Sequence, residues 1–386
     1  MFSERQGGVY IHWPFCAAKC PYCDFNSHVR EGIDEESWAQ AYERALDYYA
    51  ELLPQLEVVS VFFGGGTPSL MGPKTAERII KKIRYGWRCA DDLEITLEAN
   101  PTSVEIQKFK DFRKAGVNRV SLGIQALSDD DLRFLGREHD AGEALRALDT
   151  AGQVFDRYSF DLIYARPGQT HDAWADELEK ALKFAHGHIS LYQLTIERST
   201  PFYIRHQRGE FSIPDDVAGA ELFNLTQEIT EGAGLPLYEV SNHAAAGQEC
   251  RHNLIYWRYQ DYIGIGPGAH GRYTHNGYKY ASRDHSAPEV WLERVRDNGY
   301  GAHEPQDVSI ETQKEEAVMV GLRLKDGISI ERFRNTFGSD PRDLFIYERF
   351  EMALHEGWIR RNEKNLALSQ EGMLLLNSLL GYLLKA

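Results

Sequence analysis

Cys16-Ala-Ala-Lys-Cys20-Pro-Tyr-Cys23 is the stretch on which the reading of this chain turns. It follows an apolar run, Val9-Tyr10-Ile11-His12, so the thiols sit in the loop leaving a first strand. Thiolates spaced by three and two residues converge on one point, which suits a metal or an iron–sulfur cluster better than disulfides. A closed structural site takes four protein ligands, and one that does chemistry keeps a position open. Here the count is three. Phe15, Tyr22 and Phe25 supply an apolar collar of the kind that tunes a cluster by excluding water. On these residues alone zinc stands as an alternative, with His12 completing a Cys3His set.

Outward from this loop, residues 8 to 194 repeat one unit, a short β-rich apolar run followed by an amphipathic helical stretch. The runs are Val9–His12, Val58–Phe63, Leu93–Leu97, Arg119–Gly123, Tyr158–Ile163 and His188–Leu194. The helical stretches are Glu35–Leu53, Lys74–Tyr85, Val104–Ala115, Gly142–Phe155 and Asp172–Phe184. Six such units predict an α/β fold with a parallel sheet and its functional residues at the C-terminal strand ends. An open doubly wound sheet reads much the same. Residues 206–305 form a different, α+β stretch, with a helix near Asp216–Glu231, a strand at Pro236–Val240 and a glycine-rich segment, Gly264–Gly271. Residues 306–386 read as three helices, a hairpin around Asn362 and a last helix, a winged-helix-like module.

Composition narrows the function. The 386 residues carry 43 Lys+Arg against 58 Asp+Glu, a net charge of −15, which disfavours broad binding of nucleic acid or an anionic membrane. From residue 310 the balance is 11 Lys/Arg against 12 Asp/Glu, without the basic footprint of a DNA-binding wing. A lid or packing role is expected instead. Five cysteines, three of them clustered, are no disulfide framework. Met1–Gln6 is too polar for a signal peptide, and the apolar run near Leu374–Leu384 is broken by Asn377, Ser378 and Gly381. A cytoplasmic protein is the expectation.

The strand ends carry polar groups. Phe62-Phe63-Gly64-Gly65-Gly66-Thr67-Pro68-Ser69 closes the second unit, and its glycines let backbone amides approach a ligand. It is neither a Rossmann fingerprint nor a P-loop. Glu98 ends the third run, Gln125 the fourth, Arg137 follows in the next unit, and Asp161 opens the fifth. Each, taken alone, could simply satisfy turn backbone groups.

Together these features resemble the radical S-adenosylmethionine (SAM) superfamily, whose signature is C-x3-C-x2-C with an aromatic before the last cysteine. The resemblance implies an incomplete (β/α)6 barrel at residues 1–205 and a [4Fe–4S] cluster on Cys16, Cys20 and Cys23, with SAM on the fourth iron. It also implies SAM contacts from Tyr10, Tyr22, Gly65, Gly66, Thr67, Glu98, Gln125, Arg137 and Asp161. Tyr238-Glu-Val-Ser-Asn-His243, Cys250-Arg-His252-Asn253-Leu-Ile-Tyr256-Trp257 and Gly264–Gly271 resemble the haem-chaperone subgroup of that family. The implied function is a carrier that binds cluster, SAM and haem and passes haem to acceptor apo-proteins, membrane-associated ones included.

His252 of the HNxxYW pattern is then the expected axial ligand, with Tyr256 and Trp257 against the porphyrin and Asn253 orienting the ring or bonding a propionate. His243 and His270 are alternatives, and Cys250 offers a thiolate. The competing implication is oxygen-independent coproporphyrinogen III dehydrogenation. Enzymes of that kind carry a further cysteine where this chain has Phe25, and an N-terminal extension where eight residues precede Val9. One departure falls at Ile163-Tyr164-Ala165-Arg166-Pro167-Gly168, where the family usually has Gly-Leu in place of Ala-Arg. It puts the loop shape near Asp161 in question.

Overall fold

The computed structural model describes residues 5–384, so the first four residues of the polar stretch Met1–Gln6 lie outside it. The first strand, β1 (Arg5–Trp13), buries Val9, Ile11 and Trp13 on alternate positions, as a pleat requires. It is followed by β2 (Leu56–Gly65), β3 (Arg88–Ala99), β4 (Arg119–Gln125), β5 (Arg157–Tyr164) and β6 (His188–Gln193). These six lie side by side in chain order, every neighbouring pair parallel. That order decides between the two α/β readings. A doubly wound sheet reverses direction midway, whereas a sheet that always steps one way, with crossovers of one hand, collects its helices on one face.

The linking helices begin where the sequence supplies caps. Asp34 accepts a hydrogen bond from the Ser37 amide at the head of Glu35–Leu52, and Asp140 with Glu143 closes a capping box on Ala141–Val154. Glu35–Leu52 turns Trp38, Tyr42, Ala45, Leu46 and Tyr49 to the sheet at three- and four-residue spacing. The stretch read as one helix over Val104–Ala115 is two, Ser103–Gln107 and Phe109–Ala115. Glu105 is buried there, accepting from the Ser69 hydroxyl and the Asn100 amide, which binds the first turn to the β3 exit.

Residues 206–305 extend the same sheet rather than forming one of their own. Strands β7 (Leu237–Glu239) and β8 (Asn242–Ala244) cover the β6 edge in antiparallel pairing. At the opposite edge β9 (Asp261–Ile265) runs parallel to β1, Val9 facing Ile263. Strands β10 (His270–His275), β11 (Tyr278–Arg283) and, just beyond that segment, β12 (Gln306–Asp307) then follow in antiparallel order, making this one sheet twelve-stranded among the described residues.

The C-terminal module has its own core of Val318, Phe333, Phe350, Leu366, Leu368 and Leu383. Three helices precede the hairpin Ile359–Arg361 and Asn365–Leu368, which Ile328–Ser329 joins as a third strand. No helix among the described residues is long and apolar enough to cross a membrane.

Candidate functional site

The C-terminal ends of β1 to β5 surround a cavity of about 160 Å³. Cys16, Cys20 and Cys23 line it, in the loop after β1. Tyr22, Gly65, Gly66, Thr67, Glu98, Gln125, Arg137 and Asp161 line it too, eight of the nine residues assigned to SAM. Tyr10 is the exception. It sits one layer away, its hydroxyl 3.1 Å from His12 Nδ1, in two neighbouring cavities that both include Glu98. Phe15 is also elsewhere. It is wholly buried, edge-on to Trp38 at 5.1 Å, because its side of the loop faces the core; Tyr22 and Phe25 alone form the collar.

The glycine loop is fastened directly to the cysteine loop. Gly66 N–H donates to the Trp13 carbonyl at 2.7 Å, and Thr67 N–H to that of Phe15 at 2.8 Å. Gly65 has φ +113°, and a Cβ there would lie 2.6 Å from the His12 ring, so no larger residue lets the loops nest. Thr67 Oγ1 then reaches Cys16 Sγ at 3.5 Å and accepts from Asn100 Nδ2 at 3.3 Å.

Arg137 ties the other side. Its Nη1 donates to Cys20 Sγ at 3.2 Å and to Tyr22 Oη at 3.5 Å; its Nη2 donates to the Gly123 carbonyl at 2.9 Å and to Asn100 Oδ1. Its Nε is buried without a partner. Asn100, central to both clasps, is not among the site residues expected from the sequence. Its position two residues past Glu98 at the same strand end was the available signal.

The electrostatics favour a cationic guest. Burial, then the nearby charge of Asp161, pushes Glu98 up to about 8. Burial raises Asp161 to about 6, opposed by hydrogen bonds from Ser190 and Ser121 and by the charges of Arg119 and Arg137. Burial also raises the Cys16 and Cys23 thiols, which a bound metal would draw to thiolates. Among the described residues no three His, Cys, Asp or Glu side chains close on one metal-sized point; the three thiols ring one cavity instead. The donor set fits a cluster on three cysteines. His12 does not join it. Both its nitrogens are engaged, Nδ1 with Tyr10 and Nε2 with the Asn26 carbonyl at 2.9 Å, and it does not line the cysteine cavity.

Two further cavities adjoin. An inner one of about 330 Å³ is lined by His252, Asn253, Tyr256, Cys250 and the buried Arg119. An outer one of about 550 Å³, mainly apolar, is lined by Tyr256, Trp257, Tyr262, His270 and Met319, and meets the cysteine cavity along Phe25, Gly65 and Glu98. The HNxxYW residues thus split between two layers on the helix Arg251–Trp257. His252 is 1% exposed, with Nδ1 2.7 Å from Ser60 Oγ, Nε2 2.8 Å from Tyr256 Oη and its face on Phe62. Burial lowers it to about 3. Cys250, also buried, has its thiol pushed up to about 12, far from a ready thiolate. His243 is buried against Gln227 and lines none of these three cavities.

At the corner following Asp161, Ala165 occupies the left-handed region at φ +56°, the conformation a glycine would take. Arg166 compensates. It is 3% exposed, donates to the Ile163 carbonyl at 2.7 Å and pairs with Glu177 and, at 3.1 Å, Asp131.

Parallel strands in chain order, with three thiols and a polar rim at their C-terminal ends, define an α/β barrel with a thiol-lined site. The Radical SAM superfamily pattern matches residues 10–181, and that of the HemN C-terminal domain matches residues 308–375. In the solved structure of Escherichia coli coproporphyrinogen III oxidase (HemN), a radical SAM enzyme, 90% of the chain aligns with 98% of this one. The TM-score is 0.81 at 19% identity, a shared fold. Heme chaperone HemW of Haemophilus influenzae is 35% identical over 381 residues, 96% of each chain. HemW of Bacillus subtilis is 32% identical over 97% of this chain and 98% of its own. The mitochondrial radical S-adenosyl methionine domain-containing protein 1 of Bos taurus is 36% identical over 98% of this chain and 87% of its own. The chain belongs to the radical SAM family, with relatives that include the curated heme chaperones HemW.

Proposed function

We propose that this chain is a haem carrier, binding a [4Fe–4S] cluster through Cys16, Cys20 and Cys23, SAM beside it, and haem in the adjoining apolar cavity. A cluster held there would supply an open iron position for SAM and one-electron chemistry. The chain's own part is positioning. Arg137 and Thr67 hold the cysteine loop against the strand ends, Glu98 and Asp161 offer negative charge to a sulfonium, and Gly65 and Gly66 expose backbone. Tyr256 and Trp257 give the wall on which a flat macrocycle packs, while His252 and Asn253 brace it from the inner layer. The acceptors are haem-binding apo-proteins, membrane-associated ones among them, and the working compartment is the cytoplasm. Nucleic acid is no partner.

One observation carries this reading: the aromatic face of the HNxxYW helix opens on a 550 Å³ apolar cavity that shares a wall with the cysteine cavity. The test is an anaerobic haem titration of the reconstituted protein with and without SAM. Saturable binding near one haem per chain and transfer to an apo-haemoprotein are expected, and failure to bind sinks the reading. The HemN-like fold favours a second reading, decarboxylation of a porphyrinogen propionate. Phe25 stands where the further cysteine would be, so coproporphyrinogen III should survive anaerobic, reducing incubation without multiple turnovers.

A further inference from the structure

We infer that His270, not His252, provides the axial imidazole for haem iron, with the macrocycle in the outer cavity against Tyr256, Trp257 and Tyr262. This rests on the haem-carrier reading and refines it. An axial imidazole must be neutral, with one ring nitrogen free toward the space the macrocycle fills. His252 fails the second condition. Ser60 and Tyr256 occupy its two nitrogens from opposite sides, and it lines the inner cavity rather than the larger apolar one. His12 reaches the outer cavity, but the Asn26 carbonyl can only accept, so Nε2 is the donor, while Nδ1 faces the Tyr10 hydroxyl. His188 lines the inner cavity, its Nε2 on the Tyr238 hydroxyl.

His270 meets both conditions. It lines the outer cavity, is exposed to it, and among the described residues its ring makes no hydrogen bond. Partial desolvation by the cavity wall, then the charges of Arg283 and Arg272, hold it below the ordinary histidine value, so the imidazole is neutral at pH 7. The glycine-rich segment that no other function explains is what delivers it. Gly266 has φ +119°, and a Cβ there would lie 2.3 Å from the His12 carbonyl, so only glycine lets this turn close onto β1 before His270 opens β10.

The surroundings suit an amphipathic, dianionic macrocycle. Phe25 is 59% and Met319 47% exposed where they line the cavity, apolar surface that a ring would cover. Arg272 is committed to Glu316, at 2.9 and 3.1 Å. Arg283, paired across the ladder with His270, is exposed and has no carboxylate within ion-pair distance among the described residues, which leaves it for a propionate.

The experiment is an anaerobic haem titration of the full, cluster-reconstituted chain read by the Soret band, comparing wild type with His270→Ala, His270→Cys and His252→Phe. Iron–sulfur content and SAM binding report whether each variant is folded. His270→Ala should lose at least tenfold in haem affinity with a shifted Soret band. His270→Cys should move the band to a thiolate-ligated position. His252→Phe should keep the wild-type band position even where affinity falls. A folded His270→Ala or His270→Cys with the wild-type spectrum and affinity overturns the assignment and leaves the carrier reading standing. A wild-type chain that binds no haem overturns both.

Discussion

Arg137→Lys tests whether the guanidinium is the clasp between the cysteine loop and the strand ends. One nitrogen of the fork serves Cys20 and Tyr22, the other Asn100 and the Gly123 carbonyl. An ammonium keeps the charge but cannot face both ways from one rigid plane. The substitution therefore removes the net worth of one charge-assisted hydrogen bond, about 1.5–3 kcal/mol. At about 1.4 kcal/mol per decade, SAM affinity should fall roughly 10- to 150-fold. Iron and sulfide after anaerobic reconstitution should be unchanged, because Arg137 is no ligand to the cluster. Calorimetric titration of SAM against both reconstituted proteins measures the first quantity, and elemental analysis the second. A Kd within twofold of wild type refutes the clasp. Loss of iron would move Arg137 from positioning SAM to assembling the cluster.

Cys20→Ala should lose most of the iron and sulfide that wild type takes up on anaerobic reconstitution; about four irons retained, or stoichiometric zinc in the native protein, would contradict the ligand assignment. The carboxylates of the cavity predict a pH dependence with opposite signs for folding and binding. Glu98 at about 8 and Asp161 at about 6 lie above their unfolded values of 4.5 and 3.8, so the folded chain retains protons that the unfolded chain releases. Their contribution to stability is complete below about pH 4 and is lost as pH rises toward 8. A sulfonium favours the ionised forms, so SAM binding should tighten from pH 6 to 8.5, and Glu98→Gln should flatten that rise; calorimetry showing weakening over this range would reverse the argument. At the β5 corner, Arg166→Leu leaves the half-buried Glu177 with only the Leu127 amide and Gln169 as donors. Guanidinium unfolding should show a loss of about 3 kcal/mol, partly restored by Glu177→Gln; a loss under about 1 kcal/mol would mean the pair is not what holds the corner.

What the sequence made legible follows from range. The βα repeat was readable because each strand and helix announces itself within a dozen residues, through apolar runs, caps and glycines. Cysteines at x3 and x2 spacing are equally local. The edges of the sheet were not readable. Val9 pairs with Ile263 across some 250 positions, and nothing in either run names its partner, so residues 206–305 read as a unit apart when they border the barrel on both sides. Side-chain direction was the second gap. Phe15 and Phe25 lie in the same aromatic-rich loop, yet one is in the core and the other in water at the cavity mouth. His252 shows the same limit at the site. Its motif placed the aromatic wall, but whether an imidazole is free or held depends on Ser60, which sits 192 positions away on β2. The Ala165-Arg166 departure is the converse case. The pattern called for glycine, the backbone kept glycine's conformation, and what made alanine tolerable there was an arginine one position on, reaching two carboxylates from separate helices. A local rule was broken where a non-local contact could hold it, and that contact, unlike the rule, had to be seen in three dimensions.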